Sequence, residues 1–131
     1  MELITASEMT ILSRPGKTSR QLLFPENSRS ERITLTHVVL QPGAVNTPHR
    51  HPTSEQIWIA IKGTGRLLVE GGRKVEFSAG DVARFEDNEL HGFENTGTSE
   101  FEYISVTSPP VNFRPAYQHA ESGVRASQSK K

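Results

Sequence analysis

Residues 56–63, QIWIAIKG, place Ile57, Ile59 and Ile61 on one side of an extended strand and Trp58 and Ala60 on the other. A strand that is apolar on both sides cannot face water on either, so it belongs to a sheet covered on both faces. The surrounding runs have the same β character. RITLTHVVL (32–40) is rich in β-branched residues and stops at the turn signal QPGA. GRLLVEGGRKVEF (65–77) reads as two short strands about the turn Gly71-Gly72. GDVARF (80–85), HGFEN (91–95) and EFEYISV (100–106) continue the series. No segment sustains a helical period, and the spacing is that of an all-β sandwich or barrel.

A chain of 131 residues is long enough for one substantial core. The expected organisation is an N-terminal segment (1–31) packing on the barrel or on a partner, a barrel (32–115) and a polar C-terminal tail (116–131). Lys plus Arg and Asp plus Glu number 15 each, so no basic field recruits nucleic acid or an anionic membrane, and a small-molecule partner is expected. No window approaches the roughly 20 apolar residues of a membrane span, and the start MELITASEMTILSRPGKTSR lacks a basic patch followed by an apolar core. The expected location is cytoplasmic. The chain has no cysteine, so a metal must be held by histidine, carboxylate or amide.

The segment NTPHRHPTSEQIW (46–58) holds two of the five histidines. On a strand His49 and His51 share a face while Arg50 points away, so two imidazoles can reach one ion. An isolated pair of this kind also suits two solvated loop histidines. Further residues stand at regular intervals around it. Five residues separate Gly43 from His49, four separate His51 from Gln56, and six separate Gln56 from Gly63. Downstream, ten separate Gly80 from His91 and three separate His91 from Asn95.

This double pattern resembles the two motifs of the cupin superfamily over roughly residues 32–107. The resemblance implies a double-stranded β-helix, or jelly-roll, barrel with a metal in its mouth. It makes His49, His51 and His91 ligands and puts Gln56 where most cupins carry glutamate. Glu86 and Asn88 replace the proline and glycine of the second motif, and asparagine tolerates the left-handed turn that glycine would adopt. Glu55 and Gln56 face opposite sides of a strand, so only one can reach the metal. The interval to Gly63 and the parity shared with Trp58 favour Gln56, and a shifted register would substitute Glu55. Imidazole-rich coordination suits one divalent transition metal, whether Zn, Fe, Ni, Mn or Cu, and disfavours Ca and Mg. The EQI phrase is also similar to that of the small cupins that open unsaturated uronates in pectin breakdown.

Trp58 and Phe93 share parity with Gln56 and His91 and are candidate walls of the substrate pocket, though core filling suits both equally. Tyr103 and Ser105 alternate on the last strand and are candidate hydroxyl donors, Tyr103 as general acid. Arg66, Arg84 and Arg114 are candidate carboxylate clamps, although arginines on strands usually face solvent. His37 and His119 fit neither motif, and Asn95 fits a turn-fixing role. Cover for the three isoleucines comes either from the N-terminal segment or from a second subunit, and a homodimer is expected. Two functions are compatible with these residues. One is a metal-dependent enzyme acting on a small, oxygen-rich anion by Lewis-acid isomerisation or ring opening, or by dioxygenase chemistry on iron. The other is a non-catalytic small-molecule binding or sensing module.

Overall fold

The computed structural model describes residues 1–117. Ten strands are formed: β1 (Thr10–Arg14), β2 (Lys17–Leu23), β3 (Thr34–Leu40), β4 (Val45–His49), β5 (Glu55–Lys62), β6 (Thr64–Val69), β7 (Arg73–Ser78), β8 (Val82–Phe85), β9 (His91–Glu94) and β10 (Phe101–Ser108). They build a six-stranded sheet of order β1-β2-β3-β10-β5-β8 and a four-stranded sheet of order β4-β9-β6-β7. Every ladder is antiparallel. The architecture is the double-stranded β-helix expected from the sequence. The Gly71-Gly72 turn also forms, with both glycines at positive φ, 76° and 74°.

Alternation decides which residues point inward, and position along each strand decides what they meet. The inward residues are Thr34, Thr36, Val38 and Leu40 on β3, Phe101, Tyr103, Ser105 and Thr107 on β10, and Gln56, Trp58 and Ala60 on β5, all buried. The register pairs Leu40 with Phe101 and Thr34 with Thr107, and it pairs Gln56 with Thr107 on the other flank. The interior therefore runs from apolar at one end to polar at the other. Phe93 and Phe101, 4.2 Å apart, pack with Phe77 in the apolar end. Each such burial contributes roughly 1.5–3 kcal/mol. Trp58 stacks on Tyr103 at 4.3 Å near the middle, and the histidines lie beyond it.

Of the two covers considered for the three isoleucines, the N-terminal segment does not supply one. β1 and β2 form a hairpin about Pro15-Gly16, and β2 pairs along β3, so the hairpin extends the large sheet edgewise. It leaves the outer face bare: Ile59 is 37% exposed and Ile61 50% exposed, beside Val82 on the paired strand. Residues 114–117 are helical and Tyr117 is buried, while 118–131, including His119, lie outside the described residues. No helix of the described residues is long and apolar enough to cross a membrane.

Candidate metal centre

β4 and β9 are paired at the polar end of the barrel, with His49 directly opposite His91. This pairing needs a glycine beside His91. A Cβ on Gly92 would stand 2.5 Å from the Asn46 carbonyl oxygen and 2.7 Å from the Pro48 nitrogen. The sequence expectation for His51 is corrected in one respect: β4 ends at His49, and His51 lies in the following turn. Its position comes from backbone contacts, since its carbonyl accepts the Asn88 N–H at 2.8 Å. Asn88 takes the left-handed conformation, φ 64°, as its place in the second motif requires. Arg50 points outward as expected and ties the turn to the Glu70 carboxylate at 2.6 Å and the Asn88 carbonyl at 2.9 Å.

The three imidazoles converge, with one nitrogen of each lying within 4.8 Å of the others. Their partners bear on their tautomers. Nδ1 of His49 faces the Thr47 carbonyl at 2.7 Å, and Nδ1 of His91 faces the Glu89 carbonyl at 2.8 Å. A carbonyl only accepts, so in His49 Nδ1 carries the proton and Nε2 keeps its lone pair, and a His91 proton on Nδ1 frees Nε2 in the same way. Nε2 of His51 is buried without any hydrogen-bond partner among the described residues. Burial lowers the affinity of all three rings for a proton, holding His51 and His91 at about 4. The cluster at neutral pH is a set of uncharged nitrogen donors.

Gln56 points inward beside it, whereas Glu55 faces outward and pairs with Arg84. The indole N–H of Trp58 donates to Gln56 Oε1 at 2.9 Å, which fixes the amide with its oxygen toward His91 and its nitrogen donating to Thr107 Oγ1 at 2.9 Å. Gln56 Oε1 and His91 Nε2 stand 3.0 Å apart, so His91 has an acceptor oxygen at each ring nitrogen and, when neutral, donates to only one of them. The 3.0 Å spacing is also that of two donors at right angles about a cation roughly 2.1 Å from each. The orphaned His51 nitrogen, the inward Gln56 amide oxygen and the neutral imidazoles all fit a borderline transition metal.

A cavity of about 310 Å³ opens in front of the cluster. His49, His51, Gln56, Trp58, Tyr103 and Ser105 line it. His91 lies deeper, with the Phe85 ring stacked on it at 4.3 Å. Phe93 does not reach the cavity. It has the inward parity expected of it but lies further along β9, wholly buried among Phe77 and Phe101. Arg84 and Arg114 pair with Glu55 and Glu26, and neither they nor Arg66 line the cavity. Asn95 bonds the Leu40 and Ser99 carbonyls, as a turn-fixing residue does.

Arg14, Lys17 and Asn46 are among the polar lining residues that escaped the sequence reading. Asn46 accepts from Lys17 Nζ at 2.9 Å and donates to the Tyr103 hydroxyl at 3.3 Å. Burial pushes the Tyr103 hydroxyl well above its ordinary range, so it remains a proton donor. No aspartate or glutamate is among the described residues that line the cavity.

Comparison with known proteins agrees with this architecture. The model of the cupin domain matches residues 36–107. The oxalate-binding protein of Thermotoga maritima is 29% identical over 85 residues, 65% of this chain and 69% of that protein. The pectin degradation protein KdgF of Dickeya dadantii is 30% identical over 63 residues, 48% of this chain and 56% of that one. The structure of KdgF from a Halomonas species superimposes with a TM-score of 0.72 at 22% identity, over 86% of this chain and 96% of that chain. With two histidine-bearing strands paired at the open end of a jelly roll, and the family match running from β3 to β10, the chain belongs to the cupin family.

Proposed function

We propose that His49, His51, His91 and Gln56 hold one divalent transition metal, and that the cavity before it takes a small, oxygen-rich anion for Lewis-acid isomerisation or ring opening. The observation that carries this reading is the buried, partnerless Nε2 of His51 beside two other neutral imidazoles in a cavity without a carboxylate. Zn, Fe, Ni, Mn and Cu all suit such donors. A metal bound there would supply a Lewis acid whose double charge is not reduced by any ligand, because all four are neutral. The chain's own groups do the rest. Trp58 holds the Gln56 amide in one orientation, Tyr103 presents a hydroxyl that keeps its proton, and the Ser105 hydroxyl is buried without a partner among the described residues. The matched KdgF proteins support a sugar-acid substrate.

A second reading, binding without turnover, is favoured by the absence of a carboxylate base among the described lining residues, and a matched relative is itself an oxalate-binding protein. One experiment separates the readings. Metal-free protein is reloaded with each candidate metal, followed by calorimetry, and then screened against sugar acids, enols and catechol-like compounds with the products resolved by chromatography. Uptake of about one metal per chain with turnover supports the enzyme. Uptake with ligand binding but no product supports the binding module. Failure to take up any transition metal ends both.

The same reading includes a homodimer. Ile57, Ile59 and Ile61 continue into Ile104 and Val106 on β10 and Val82 on β8, giving an apolar outer face across adjacent strands. A second copy would remove it from water.

A further inference from the structure

We propose that Lys17 and Arg14 form a second anion subsite facing the histidine cluster, so that the ligand carries a carboxylate at the end remote from its metal-binding oxygen. The inference deepens the metal-site reading and rests on it for the placement of the ligand's other end.

Arg14 and Lys17 close the β1–β2 hairpin, paired with each other across its turn, and both line the cavity. Their charged ends lie over one aromatic ring, the Lys17 Nζ 5.2 Å and the Arg14 guanidinium carbon 6.0 Å from the centre of Tyr117. Neither takes part in an ion pair among the described residues, whereas Arg29, Arg50, Arg84 and Arg114 do. Among the described residues the Lys17 ammonium donates to one neutral amide, Asn46 Oδ1, which leaves two of its three donors for another acceptor. Two cations sharing one wall of a cavity that has no acidic lining residue are costly unless an anion joins them. The affinity of Lys17 for its proton reflects that cost, lowered by burial and by Arg14 to about 7.

The geometry also bears on the length of the ligand. Asn46 stands three residues before His49 on β4, roughly 10 Å along the strand. Side chains that converge on one cavity shorten this span without closing it. A two-carbon diacid would sit wholly at the metal, whereas a five- or six-carbon acid reaches from one subsite to the other. Asn46 links the subsite to Tyr103. Because ammonium only donates, Lys17 fixes Oδ1 toward itself, and Nδ2 then donates to the Tyr103 oxygen, turning the phenolic proton toward the cavity. A ligand held at Lys17 therefore lies under a correctly oriented donor.

The test titrates glutarate and its single-acid counterpart valerate into wild type, Lys17→Met and Arg14→Met, each with zinc and without it, by calorimetry and by the fluorescence of the single tryptophan, Trp58. Zinc-loaded wild type is expected to prefer glutarate at least tenfold, and both variants are expected to lose that preference while binding zinc as wild type does. Lys17→Arg, which keeps the charge, should recover most of it. Arg14 is only half-buried, so its variant serves should Lys17→Met fail to fold. Equal glutarate affinity in wild type and in every folded variant overturns the proposal, with or without zinc. Absence of zinc uptake by wild type sinks the metal reading alone, because zinc-free wild type must still bind glutarate more tightly than the variants.

Discussion

Gln56 Oε1 and His91 Nε2 face each other at 3.0 Å; Trp58 fixes the amide oxygen there, and a ring proton placed on Nδ1 toward the Glu89 carbonyl sets two lone pairs against each other. Two lone pairs at that distance repel unless a cation lies before them. Gln56→Glu keeps the shape and adds one negative charge to the site. The variant should bind zinc at least as tightly as wild type and lose about tenfold in affinity for a carboxylate probe, roughly 1.4 kcal/mol. Full interaction of the added charge with an anion about 4 Å away would be on the order of 4 kcal/mol at an effective dielectric near 20, so even a strongly screened remainder is measurable. Paired titrations of metal and probe check this, and unchanged probe affinity would show that the amide was not retained for its charge.

His51 should be dispensable for folding and indispensable for metal. Its Nε2 is buried and partnerless, so His51→Ala removes an unsatisfied polar group together with its donor. Thermal unfolding of the metal-free variant should match or exceed that of metal-free wild type, while zinc affinity falls at least about a hundredfold. A large loss of stability without zinc would mean that the ring is a packing element instead.

Gly92→Ala should damage fold and site together. The added methyl would press on the β4 backbone at Asn46 and Pro48, three and one residues before His49. Overpacking of this kind costs about 1–3 kcal/mol, and the yielding strand carries a proposed ligand with it. Denaturant unfolding and zinc titration should therefore both be weakened, and a change in only one would contradict the coupling.

Acid should destabilise the metal-free protein in a defined window. His51 and His91 are held at about 4 in the folded chain, against about 6.5 when unfolded, so between these values the unfolded chain binds more protons. The stabilisation is complete above pH about 6.5 and is lost as pH falls toward 4. Carboxylates with lowered values, such as Glu70 beside Arg50, act only below about 4.5. A melting temperature that declines from pH 7 to 5 checks this, and a flat profile there would contradict it.

Assembly has its own test. Ile59→Lys with Ile61→Lys should convert the proposed dimer to a folded monomer by light scattering, since both side chains already face outward. A wild type that is monomeric at micromolar concentration would remove the homodimer from the reading.

The sequence reading succeeded where hydrophobic alternation exists and failed where the interior is polar. The strands around Val38, Trp58 and Tyr103 bury side chains on a period of two and were legible as strands in the sequence, although their pairing was not. β2 turns Ser19 and Gln21 inward, so the hairpin that brings Arg14 and Lys17 to the cavity carries no apolar stripe. The turn signal Pro15-Gly16 was the only local sign of it. Phe93 shows a second limit: parity predicts which face a residue occupies, not how far along the barrel axis it lies. His51 reached the cluster through a turn held by Asn88, a contact across 36 intervening positions that periodicity cannot express.

The change from apolar to polar along single strands separates two kinds of constraint within a few residues. Leu40, Phe101, Phe77 and Phe93 answer to packing, and a cavity among them costs several kcal/mol wherever the ligand binds. Thr36, Ser105 and Ser19, on the same or neighbouring strands, answer to whatever enters the barrel. An exchange among the small polar residues can reshape the pocket without touching the aromatic floor. Such a barrel can acquire a new specificity by a few substitutions at its wet end, its melting temperature hardly altered, while the histidines remain where β4 and β9 meet.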